Sequence, residues 1–144
     1  MSAPAKWIVL ILALIAAGAG RSATSLLTQG DAQSIRSVIE AQLAAFSADD
    51  AEKAFSFASE GIQRTFGTAE NFIAMVKASY PVVYRPASVL FLEPEQIDDE
   101  VMQAVQMSDE DGGLWLALYR MQRQPDDSWR IGGCILQSLP AARI

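Results

Sequence analysis

Apolar residues recur at helical spacing in the first half of the chain and alternate with polar ones in the second. Ile35, Val38, Ile39, Leu43 and Phe46 predict a helix capped by Asp31. Asp49-Asp50 restarts the pattern in a second helix carrying Ala54, Phe55, Phe57 and Ala58. Gly61 and Gly67 bracket a short turn-like piece containing Ile62 and Phe66. Thr68 caps a third helix with Phe72, Ile73, Met75 and Val76 on one side, and Pro81 stops it.

Beyond Pro86 the period becomes that of extended chain. Residues 88–92 and 101–107 read as strands, and Asp111-Gly112 reads as a tight hairpin turn, because Gly tolerates positive φ. Residues 114–122 are apolar on both faces at their start, as in a strand covered twice. Pro125 to Ser128 turns the chain into a last strand over 129–139, where Gly132-Gly133 marks a bulge or bend. Helices followed by a four-stranded antiparallel meander predict an α+β fold, with the N-terminal helices packed on one face of a curved sheet.

Ahead of these elements lies an apolar run over residues 7–17, preceded by Lys6 and followed by the small-x-small site Ala17-Gly18-Ala19. The run is shorter than the roughly 18–20 residues that cross a bilayer and fits the core of a signal peptide. A cleaved signal peptide over 1–19, a short leader over 20–30 and a single domain over 31–144 are therefore expected. Export to the periplasm or the medium follows. The rival is an uncleaved N-terminal anchor.

Composition sharpens this by exclusion. The 144-residue chain has a formal net charge of −6, and losing Lys6 with the signal makes the mature domain more acidic. Its arginines are scattered, so neither nucleic acid nor an anionic membrane surface is an expected partner. There is no histidine, which removes Ser-His-Asp and Cys-His nucleophilic machinery and the usual zinc sites. Cys134 stands alone, so no disulfide staples the domain. Asp109-Glu110-Asp111-Gly112 lacks the flanking ligands of a calcium loop and reads as a turn. No motif implies a metal or any other cofactor.

Four passages carry a resemblance. They are Ile39-Glu-Ala-Gln-Leu-Ala-Ala-Phe46, Tyr80-Pro-Val-Val-Tyr-Arg-Pro86, Leu114-Trp-Leu-Ala-Leu-Tyr119 and Trp129-Arg-Ile-Gly-Gly-Cys134. Together they resemble an uncharacterised family of short exported proteobacterial domains. The helices-then-sheet order ending in Trp129-Arg130-Ile131 also resembles the cone-shaped fold shared by nuclear transport factor, ketosteroid isomerase and polyketide cyclases. That resemblance implies a pocket opening at the helix–sheet junction, and pairing of two copies through their sheets.

Tyr80, Tyr84 and Arg85 sit at this junction and are the candidate ligand-binding residues, with two phenols and a guanidinium at a pocket mouth. The competing reading is structural: Pro81 and Pro86 stiffen a linker, the tyrosines pack, and Arg85 pairs with an acid. Trp115, Tyr119 and Met121 share one face of their strand, and Leu114, Leu116 and Leu118 the other. One face meets the helices; the second is open to a homodimer or to burial by the chain's own termini. Cys134 reads as a buried, inert thiol. The expected function is a non-catalytic module that binds a small ligand or a protein. The alternative is an isomerase- or cyclase-like enzyme using a pocket carboxylate and a tyrosine donor such as Tyr80, Tyr84 or Tyr119. No acidic residue lies on a motif matching the catalytic base of those enzymes.

Overall fold

A computed structural model describes residues 27–140. The predicted signal peptide lies outside the described residues. Five helices come first: α1 (Gln29–Ser47), α2 (Ala51–Ser56), α3 (Glu60–Phe66), α4 (Ala69–Ser79) and α5 (Pro81–Tyr84). Five strands follow: β1 (Ser88–Phe91), β2 (Glu95–Ile97), β3 (Glu100–Ser108), β4 (Leu114–Arg123) and β5 (Trp129–Leu139). The fold is α+β, and its sheet is antiparallel throughout. Among the described residues no helix is long and apolar enough to cross a membrane.

Local chemistry sets most of the helix ends. Thr28, not Asp31, caps α1; its hydroxyl accepts from the Asp31 N–H, and the Asp31 carboxylate accepts from the Thr28 N–H. This reciprocal box satisfies two amides that a helix start leaves without partners. Asp31 also accepts from Arg123 at 2.8 Å, so the same side chain ties α1 to the end of β4. Asp50, Ser59 and Thr68 cap the next three helices with a single bond each, their side chains accepting from the Lys53, Ile62 and Asn71 amides. The piece between Gly61 and Gly67 is therefore a helix, α3, and not a turn; Gly67 ends it at φ 78°. The second helix is shorter than expected. It stops at Ser56, because Phe57 and Ser59 use backbone groups to pair with Ile131 on β5.

The sheet is one strand richer than the expected meander. β1 and β2 both pair with β3, side by side along one edge, so the outer strand is split. Pro94 falls in the gap, where it cannot donate to a ladder. Phe91 faces Val105 while Glu95 faces Met102, which leaves one extra residue on the outer strand. The buried Gln103 amide fills that break by donating to the Leu92 carbonyl at 2.7 Å and the Ala104 carbonyl at 2.9 Å. At the other edge a second bulge lies where sequence placed it. Arg120 pairs with Gly133 and Met121 with Ile131, so Gly132 is the extra residue.

That bulge reverses the alternation along β5. Trp129 and Ile131 face the helices before it, and Cys134 and Leu136 pack against the same core after it. The helix-facing side of β3 and β4 carries Val101, Val105, Met107, Ala117, Tyr119 and Met121, all at 1% exposure or less. Ile35, Ile39 and Phe46 of α1 meet them from the other layer. Removing a ring such as Phe46 from this packing would cost about 3–5 kcal/mol. On the opposite side, Leu116 and Leu118 lie between Leu90 and Ile135, which are 57% and 61% exposed. No described element covers this face.

Candidate functional site

A cavity of about 280 Å³ lies between the helices and the β4–β5 half of the sheet. Its helical wall is built from Phe46 of α1, Ile62 and Phe66 of α3, and Phe72, Met75 and Val76 of α4. Phe72 organises that wall: its ring lies 5.9 Å from Phe46, 5.4 Å from Phe55 and 5.7 Å from Phe66. Such tilted and edge-on pairs suit the ring quadrupoles and fix the side chains in place. The sheet side is Tyr119, Ile131 and Cys134 with the two bulge glycines. Gly132 also borders an adjoining polar groove that contains Arg64 and Arg120, and a Cβ built on it would meet the Gln122 side chain of that groove at 2.8 Å.

Among the described residues, no Asp, Glu, Lys or Arg lines the cavity. The polar groups present are Gln42, Tyr80, Tyr119 and Cys134. The Gln42 amide donates to the Ala54 carbonyl at 3.0 Å, and the Tyr80 hydroxyl donates to the Cys134 carbonyl at 3.2 Å. The Tyr119 hydroxyl is buried and has no partner among the described residues. Burial, and then the neighbouring Cys134, hold the Tyr119 phenol well above its ordinary value of 10.0. Burial also pushes the Cys134 thiol from 9.0 to about 12. Both groups are therefore neutral at physiological pH.

The three candidate residues separate. Tyr80 lines the cavity, whereas Tyr84 and Arg85 do not. The residue before a proline is pushed out of helical conformation, and Tyr80 has φ −131° and ψ 54° as the hinge between α4 and α5. Its side chain thereby reaches the sheet. Tyr84, one helical turn later, donates instead to Asp49 in the turn between α1 and α2. Arg85 reaches the same carboxylate at 3.2 Å and Lys77 at 3.3 Å, in an exposed cluster. The Tyr84 hydroxyl, then Lys77, hold the Asp49 carboxyl below its ordinary value.

Sequence reasoning grouped Tyr119 with Tyr80 and Tyr84 as possible donors in the enzyme alternative but did not bring Cys134 to them. It passed over Gln42, although a glutamine among Ile39, Leu43 and Phe46 is a polar residue on an apolar stripe. Cys134 and Arg130 fall on opposite faces because Gly132 shifts the register, so Arg130 does not activate the thiol.

The molecule is thus an α+β domain with a helical layer on one sheet face and an apolar cavity between the layers. The family described as Domain of unknown function (DUF4864) matches residues 28–144, and the chain belongs to that family. No curated protein and no solved structure matches it.

Proposed function

We propose that this is an exported, non-catalytic module that binds a small apolar molecule in the cavity between α3, α4 and the β4–β5 strands. The observation that carries the reading is the cavity wall: aromatic and aliphatic on most of its surface, with a few polar groups and no charge. Walls of that composition gain from enclosing apolar surface, at about 25 cal/mol per Å² removed from water. The isomerase or cyclase alternative requires a pocket carboxylate as base, and no carboxylate lines this cavity. Export rests on the apolar run behind Lys6.

The test is to purify the protein from its native host and identify co-purifying small molecules by mass spectrometry, with Met75→Trp as the control. Met75 lines the cavity and is only partly buried, so the indole fills space without disturbing the deepest core. A molecule retained by the wild type and lost from the variant supports the reading. A folded wild type that carries nothing, and that binds no apolar probe, overturns it.

The open sheet face supports a second copy of the chain as partner. From Ala104 and Leu118 to Ser108 and Leu114, its cross-strand neighbours are apolar or uncharged, on a chain with formal net charge −6. Two such faces meet without opposing like charges. Ile135→Lys should convert a dimer to monomer in sedimentation, and a wild type that is monomeric at all concentrations removes this partner.

A further inference from the structure

Among the buried side-chain nitrogen and oxygen atoms of the lining residues, one has no partner among the described residues. The Tyr80 hydroxyl and the Gln42 amide are engaged by backbone carbonyls, but the Tyr119 hydroxyl on the central strand has no partner. Native interiors rarely leave such a group unpaired, because it loses its hydrogen bonds to water without replacement. Resting on the ligand-pocket reading above, we propose that the cavity takes a neutral, mostly apolar molecule whose one oxygen acceptor, such as a ketone or an ester carbonyl, receives the Tyr119 hydroxyl.

Each part of that description follows from the wall. The volume of about 280 Å³ lies at the small end of ligand pockets, which run from about 300 Å³ upwards, and so suits a small molecule. Neutrality follows from the absence of Asp, Glu, Lys and Arg among the described lining residues, since an ion of either sign held against this wall would have no counter-charge. An acceptor is specified because a phenol that stays protonated has a hydrogen to give. A single acceptor is specified because the remaining surroundings are dominated by Phe46, Phe66, Phe72 and Ile131. The adjoining groove with Arg64 and Arg120 defines the rival occupant, an amphiphile whose carboxylate lies there and whose tail enters past Ile62.

Three probes of matched size separate these cases: butylbenzene, butyrophenone and 4-phenylbutyrate, titrated calorimetrically into the purified full chain and into Tyr119→Phe. The wild type should bind the ketone on the order of tenfold more tightly than the hydrocarbon, and the carboxylate most weakly. Tyr119→Phe should lose the preference for the ketone and keep its affinity for butylbenzene. Equal binding of ketone and hydrocarbon by the wild type overturns the proposal while the apolar pocket stands. Tightest binding of 4-phenylbutyrate also overturns it and moves the ligand's head to the arginine groove. Failure of all three to bind removes the pocket reading itself. If Tyr119→Phe does not fold, the wild-type ratio of ketone to hydrocarbon decides alone.

Discussion

Arg85 and Asp49, 36 residues apart in sequence, meet at 3.2 Å and fasten the end of the helical layer to the turn between α1 and α2. Asp49 occupies that turn at φ 54°, a conformation that aspartate tolerates better than most residues. The Arg85 guanidinium also stacks over the Tyr84 ring, 4.9 Å from its centroid, and donates to the Ser47 carbonyl at 3.3 Å. These contacts are peripheral to the cavity.

Arg85→Ala should therefore lower the melting temperature slightly and leave apolar-probe affinity unchanged. The loss should shrink as salt is added, because the pair is exposed and screened. Melts at low and high salt, with and without butyrophenone, measure both quantities on one sample. A variant with wild-type melting that no longer binds the probe would assign Arg85 to the ligand.

Asp109 makes the β3–β4 hairpin sensitive to acid. The Trp115 indole donates to its carboxylate at 2.9 Å, and the Gly113 and Asp111 amides donate at 2.8 Å and 3.0 Å. These bonds, the indole's first, hold its carboxyl below the ordinary 3.8. A depressed value means that the folded form releases its proton more readily than the unfolded form. The stabilisation is thus present above pH 3.8 and fades as the pH falls through the lowered value. Asp109→Asn should flatten the dependence of melting temperature on pH in that acidic window, followed by Trp115 fluorescence. Parallel curves for wild type and variant would exclude this linkage.

The same hairpin fixes a backbone prediction. Asp109 and Gly113 pair across it, and the Gly112 N–H donates to the Asp109 carbonyl at 3.1 Å, so the loop holds three residues, Glu110 to Gly112, and not two. Gly112 has φ 82°, the left-handed conformation that closes such a loop. Gly112→Val should destabilise the domain by about 1–2 kcal/mol. Gly61→Ala should act in the other direction, raising stability by about 0.5–1 kcal/mol, because Gly61 lies inside α3 and an added Cβ meets nothing closer than 3.9 Å. Chemical denaturation of the two variants checks both signs.

The order of elements and the division of residues between faces were readable because burial imposes periods that a sequence must carry, although which face of β4 meets the helices was left open. Ile35, Ile39 and Phe46 show the helical period, and Ala117, Tyr119 and Met121 show the strand period. The β2 strand was not readable, since Glu95-Gln96-Ile97 is exposed on both faces and pairs through its backbone alone. The site was half readable. Tyr80, Tyr84 and Arg85 are neighbours in sequence, but the hinge at Pro81 sends Tyr80 inward and leaves the other two on the surface. Tyr119 and Cys134 become neighbours only through the β4–β5 register, which depends on one extra glycine.

That register pair supplies the last prediction. Cys134 lies opposite Tyr119 and lines the cavity, where burial pushes its thiol to about 12 from the ordinary 9.0. The reactive species is the thiolate, and a raised thiol makes it much scarcer at pH 8 than in the unfolded chain. Labelling by iodoacetamide at pH 8 should therefore be slow in the native protein and ordinary in denaturant. Saturating butyrophenone should slow it further, because a cavity occupant both shields the sulfur and stabilises the folded form. The sign with pH also follows. A thiol raised on folding contributes stability below pH 9, and that contribution is lost as the pH climbs towards 12. Cys134→Ser should show less of this alkaline loss, since serine does not ionise in that range. Rapid labelling of the native chain would take Cys134 out of the cavity wall, whereas protection that is unaffected by butyrophenone would separate the thiol from the ligand's position.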